Sequence, residues 1–260
     1  MAQDASFKTE FAVEMSCDDC VQSVSKILKD IPDIKRFDID LGEQRVVVEG
    51  HATPSFISRA LKATGRTVIV RGQGVSDGVH SGAAVCILDT HSSINMKPQG
   101  LARFVQISPK ICLVDITVQG LTPGQHAIHI HESGDLSQGP ASTGDDYEFP
   151  GEEGQRVHGD HETGHAGDLG NIEVDEKGWG DLVLETTRVK VWDVIGRSVV
   201  VHEGSDDLGK GEKSKHGNSG KGILAGVIAR SAGAFENAKK VCACSGNTLW
   251  EEARLVEGKL

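Results

Sequence analysis

The stretch Gln125-His126-Ala127-Ile128-His129-Ile130-His131-Glu132 alternates imidazole and apolar side chains, the period of a half-buried strand. A strand that brings both His129 and His131 to one ion has to curve or lie at the rim of a barrel. Outward from it, strand-like runs recur at 83–88, 102–107, 112–119, 180–185, 198–202 and 222–229, separated by Gly, Pro, Asn and Asp. Short runs broken by turn-forming residues predict an all-β sandwich or barrel. The intervals 132–170 and 203–221 are too long for tight turns, and long ordered loops in compact domains are functional or stapled by metal.

Upstream, the pattern changes. Residues 7–15 alternate like a strand, and Val21, Val24, Ile27 and Leu28 recur at helical spacing over 18–29. Two strands at 34–40 and 45–49, a helix over 54–64 with Pro54 in its first turn and Gly65 at its end, and a strand at 67–71 follow. This βαββαβ order predicts a ferredoxin-like domain over residues 1–72. Residues 73–78 read as a flexible linker, 79–232 as the β-rich domain, and 233–260 as a short, partly disordered tail.

Charge and composition exclude several function classes. The chain of 260 residues carries a formal charge of −11, with most of the acidic excess in 73–232 and no basic run. That argues against a nucleic-acid partner, whose phosphates need clustered Lys and Arg. No stretch approaches eighteen apolar residues, so no membrane span is expected. The start MAQDASFKTE lacks the basic-then-apolar order of a secretory signal, which predicts a cytoplasmic protein.

Four of the six cysteines form two tight pairs, Cys17 with Cys20 and Cys242 with Cys244. In MSCDDC, two thiolates at a strand-to-helix junction converge on one soft ion, and the helix amides stabilise them. Two sulfur ligands are too few for structural zinc and suit Cu(I). A thioredoxin-like redox pair and an incidental pair are the alternatives. Cys242-Ala243-Cys244 is placed to bind Cu(I) or attack a partner's sulfur. Cys86 reads as a small core residue and Cys112 as one on a strand near the surface. His158-x-x-His161-x-x-x-His165-x-x-Asp168 offers three imidazoles and a carboxylate, a tetrahedral zinc set that could pin the loop to the barrel. A solvated, His-rich loop is the alternative.

His126-x-x-His129-Ile-His131-Glu-x-Gly134-Asp135, Gly167-Asp168-Leu169-Gly170-Asn171, Val201-His202-Glu203 and Asp206-Asp207-Leu208-Gly209-Lys210-Gly211 resemble the copper/zinc superoxide dismutases. The resemblance implies a Greek-key barrel in which His129, His131 and His202 hold copper weakly. It matches His158, His165 and Asp168 to zinc ligands and Asp206 to an aspartate that orients the ligands of both metals. It also shows losses. Asp146 or Tyr147 stands where those enzymes have a metal-bridging histidine, which makes His161 the candidate replacement. Gly222 falls on the position of the arginine that guides superoxide, and no internal disulfide is possible. Dismutation is therefore not expected.

Together, MxCxxC, a barrel with a broken active site, and CxC resemble the copper chaperones of superoxide dismutase over the whole chain. That resemblance implies Cu(I) on Cys17 and Cys20 and a heterodimer with copper/zinc superoxide dismutase through the barrel. Copper transfer and thiol–disulfide exchange would run through Cys242 and Cys244, with zinc in the barrel and self-association of the free chain. The competing readings are a dismutase with a fused copper-binding domain and a copper store.

Overall fold

The computed structural model describes residues 6–75, 82–90, 98–152, 158–210, 218–232 and 250–251. They form two compact units, considered separately. The first contains β1 (Phe7–Val13), α1 (Asp18–Asp30), β2 (Ile34–Asp40), β3 (Arg45–Gly50), α2 (Pro54–Lys62) and β4 (Val68–Val75). The sheet order is β2-β3-β1-β4. Both helices are amphipathic, and Val24, Leu28, Ile57 and Leu61 meet Phe11, Val13, Val46 and Val48 of the sheet in one core. Thr53 caps α2 by accepting the Phe56 amide at 3.4 Å, with Pro54 at the first helical position.

The expected linker begins too early. Gly72–Val75 belong to β4, which pairs along β1 from Phe7 to Val13. The glycines at 72 and 74 suggested flexibility, but the first residues of β1 supply a hydrogen-bonding edge for them. A register shift between Glu10 and Phe11, which leaves Arg71 bulged, lets the pairing continue.

The second unit is a closed barrel of β5 (Ala83–Leu88), β6 (Gln99–Gln106), β7 (Cys112–Gln119), β8 (Gly124–His131), β10 (Asp168–Val174), β11 (Trp179–Thr186), β12 (Ser198–His202) and β13 (Gly222–Arg230). A short strand, β9 (Ser137–Pro140), and one helical turn, α3 (Val191–Val194), lie outside its wall. Around the barrel the order is β10-β11-β7-β6-β5-β13-β12-β8. The chain thus skips two strands from β7 to β8 and again from β11 to β12, which is Greek-key connectivity.

Strand β10 was not among the expected runs. Its sequence, Asp168-Leu169-Gly170-Asn171, holds a glycine at φ +90° and a register break, and so looks like loop. Pairing with β8 makes it a strand. Phe104, Leu88, Ile116, Ile128, Ile130 and Ile172 fill the interior. Cys86 and Cys112 are both 0% exposed, so Cys112 lies in the core and not near the surface. Burial pushes each thiol up to about 12, which leaves both inert at neutral pH.

Candidate metal centres

In the first unit, β1 hands over to α1 through Glu14-Met15-Ser16. Met15 is 2% exposed and sits in the core, where it anchors the loop. Gln44 Nε2 donates to the Met15 carbonyl at 2.7 Å, and the Glu14 amide donates to Thr67 O at 3.0 Å. Cys17 takes the cap position of α1 with extended backbone, and Cys20 lies in the first turn. Their sulfurs are 3.4 Å apart, in contact but unbonded, and both thiols are free. Hydrogen bonds from the Ser16 backbone, the Arg66 side chain and Cys17 lower the Cys20 thiol to about 6.

Cys20 is therefore a thiolate at neutral pH, ready to take a soft cation without first losing a proton. The thiolate is the form that alkylates. Cys20 labelling should rise through pH 6 and level off by pH 7, whereas an ordinary thiol rises near 8.5. Arg66→Ala should move the midpoint upward, as read by peptide mass spectrometry. A midpoint near 8.5 in the unmodified chain would contradict this. Cys242 and Cys244 lie outside the described residues.

Among the described residues of the second unit, three side-chain groups bring ligand-capable atoms within 4.8 Å of one another. The first is His129, His131 and His202. The curvature expected of this strand is not needed: His129 and His131 are two residues apart on β8, so they share a face. Ile128 and Ile130 point the other way, into the core. His202 ends β12, the neighbour of β8, and its ring lies 4.9 Å from His129 and 5.6 Å from His131. Burial, reinforced by the neighbouring His129, pushes His202 down to about 4, so it is a neutral imidazole at pH 7. His126, on the same strand, is not a ligand: its ring nitrogens face the carbonyls of His202 at 2.8 Å and Thr122 at 2.9 Å.

The second group is Asp146, His158, His165 and Asp168, all buried. Asp168 Oδ2 accepts the amides of Gly159 and His165, each at 2.9 Å, which folds the loop back on itself. Its Oδ1 lies 3.3 Å from His158 Nδ1 and 3.7 Å from His165 Nδ1. A side chain at Gly164 would collide with that carboxylate, and one at Gly167 with the Ile130 carbonyl. The third group links the other two. Asp206 Oδ2 is 3.0 Å from His129 Nε2, and its Oδ1 is 2.6 Å from His158 Nε2. Burial alone would push His158 down, but the adjacent Asp168 and Asp206 carboxylates hold it up at about 10.

His161 is in none of these groups and does not take the place of the missing histidine. Residues 160–164 turn outward between Gly159 and Gly164, and the His161 carbonyl accepts the Thr186 hydroxyl at 3.1 Å. Asp146 occupies that place instead. Counting from His131 reaches it in the sequence, and a carboxylate is an ordinary zinc ligand.

The donor atoms fit a cation. His158 Nδ1, Asp168 Oδ1, His129 Nδ1 and His202 Nε2 are buried with no hydrogen-bond partner. Each such atom costs about 1–3 kcal/mol unless something satisfies it. The dismutase arginine, by contrast, has no room. A Cβ on Gly222 would already lie 2.6 Å from Pro140 Cβ and 2.7 Å from Val200 Cγ1.

The model of the copper/zinc superoxide dismutase family matches residues 98–228, and that of the heavy-metal-associated domain matches residues 10–67. The copper chaperone for superoxide dismutase of Mus musculus is 42% identical over 247 residues, covering 94% of this chain and 88% of its own. The Homo sapiens protein of that name is 39% identical over 256 residues, covering 96% and 90%. The superoxide dismutase 1 copper chaperone of Kluyveromyces lactis is 37% identical over 253 residues, covering 95% and 93%. Among solved structures, the clock protein EA4 superposes with a TM-score of 0.51 at 33% identity, over 57% of this chain and 94% of its own. With both units matched and the similarity running nearly end to end, this chain belongs to the family of copper chaperones for superoxide dismutase.

Proposed function

We propose that this chain carries Cu(I) on Cys17 and Cys20, docks on immature copper/zinc superoxide dismutase through its barrel, and delivers the ion. Cys242 and Cys244 then engage the partner's thiols and promote its internal disulfide. Copper moves by ligand exchange between sulfurs, with no free ion released. Disulfide formation passes through a mixed disulfide between a tail thiol and a partner thiol, with molecular oxygen taking the two electrons and two protons; the second partner thiol then displaces the tail thiolate. Zinc is a resident ion of the barrel loop in this reading, and the reducing cytosol is where such thiols stay free. The observation that carries the reading is an exposed, unbonded sulfur pair 3.4 Å apart in a chain whose other unit is dismutase-like.

Docking is supported by an apolar patch. Ile87 is 69% exposed and Trp192 52%, and Ile195 and Val227 are also exposed. The β13–β5 register, Ile228 opposite Cys86, sets Val227 and Ile87 side by side on the outer face. Gly196 and Arg197 bond to both sides of Ile228 at 2.8 Å, which ties the segment after Ile195 to β13. Contiguous exposed apolar surface of this kind marks an interaction site, and a barrel like the partner's can meet it as one subunit meets another.

The test combines the chain with copper-free, reduced superoxide dismutase. Heterodimer formation and activation are expected, and neither would occur with a storage protein. Cys244→Ser should leave docking intact and abolish partner disulfide formation, read by a thiol-labelling gel. Normal partner oxidation in that variant would refute the tail's role.

A further inference from the structure

Asp146 is 6% exposed, and its position is set by backbone on both sides. It forms an antiparallel bridge with His131. The Glu132 amide donates to Asp145 O at 2.9 Å, and the Tyr147 amide donates to Ile130 O at 2.8 Å. The Gly167 amide returns to Tyr147 O at 2.8 Å, and the Arg197 guanidinium covers the Tyr147 ring at 3.8 Å. Segment 145–147 therefore behaves as a short extra strand laid along β8, with the carboxylate aimed inward.

One carboxylate oxygen, Oδ1, lies 3.3 Å from His131 Nε2 and 3.6 Å from His129 Nδ1. The other, Oδ2, lies 4.0 Å from His158 Nδ1. Each oxygen thus faces a different group. We propose that Asp146 completes a divalent-cation site with His158, His165 and Asp168, in place of a third imidazole, and spans from that site to the three-imidazole group.

Charge and donor chemistry support this. Asp146 and Asp168 bring two buried negative charges, which are costly unless paired. A divalent cation that displaces the proton of His158 neutralises both while leaving the two imidazoles neutral. Two carboxylates and two imidazoles make a harder set than sulfur, suited to Zn(II) or Co(II) and poor for Cu(I). The loop site therefore does not compete with Cys17 and Cys20 for the cargo. A second, independent sign is that His158 Nδ1 and Asp168 Oδ1, on side chains 3% and 0% exposed, point into this group without a hydrogen-bond partner.

The inference rests on the reading that the loop holds a divalent ion, and the experiment separates the two. The metal-free full-length chain is titrated with Co(II), following its visible tetrahedral bands. Sulfur-bound cobalt is told apart by its near-ultraviolet charge-transfer bands. One sulfur-free Co(II) is expected, with Asp146→Asn weakening it by about 10–100-fold and His161→Asn leaving it unchanged. X-ray absorption on the unmodified zinc-loaded chain should count two imidazoles, a readout independent of how any variant folds. No sulfur-free Co(II) in the unmodified chain would sink the loop-ion reading. Uptake insensitive to Asp146, or a count of three imidazoles, would overturn this inference alone.

Discussion

Val227→Glu abolishes docking on immature superoxide dismutase: the expected loss in affinity is at least 100-fold. The physical reason is an unpaired charge placed where the apolar patch of Ile87 and Val227 meets the partner. Burying a charge without a counter-ion at an interface costs roughly 3–5 kcal/mol, and every 1.4 kcal/mol is about tenfold. Val227 is 39% exposed in the chain by itself, so the glutamate stays hydrated there and thermal unfolding of the variant should match the parent within about 0.5 kcal/mol. Native mass spectrometry of the mixture reads the result. A heterodimer of undiminished affinity would place the docking face elsewhere on the barrel.

The second large effect concerns the cargo. With both Cys17 and Cys20 replaced by Ser, activation of the partner at limiting copper should fall to the level seen without any chaperone. Hydroxyls are hard donors and do not hold Cu(I). Excess copper should restore much of the activation, because the barrel face and the tail are untouched. The comparison is run at one copper equivalent buffered by a Cu(I) chelator and again at saturating copper. Equal activation by variant and parent at limiting copper would mean that the first domain does not deliver.

Much of this was legible from residues alone because the signals are local. Helix α1 follows from the spacing of Val21, Val24, Ile27 and Leu28, and the barrel strands from short apolar runs cut by turn residues. Tyr147 and Arg197 show the opposite case. They are 50 positions apart, and nothing local to either foretells a guanidinium on a buried ring that fixes the neighbouring carboxylate. The end of β4 was missed because a glycine's freedom is resolved only when a partner strand arrives. Strand β10 was missed because its identity comes from β8, not from its own sequence.

The amino-acid sequence by itself determined the two-unit plan, the soft sulfur pairs and the imidazole-rich β8, since periodicity and donor chemistry are properties of nearby residues. Only the tertiary structure decided which side chains converge. It turned His161 outward at a glycine-flanked turn, brought Asp146 beside His131 through a β-bridge, and set Asp206 between His129 and His158. Those choices depend on long-range backbone hydrogen bonds and on which loop lies over which strand, and no spacing along the chain encodes that.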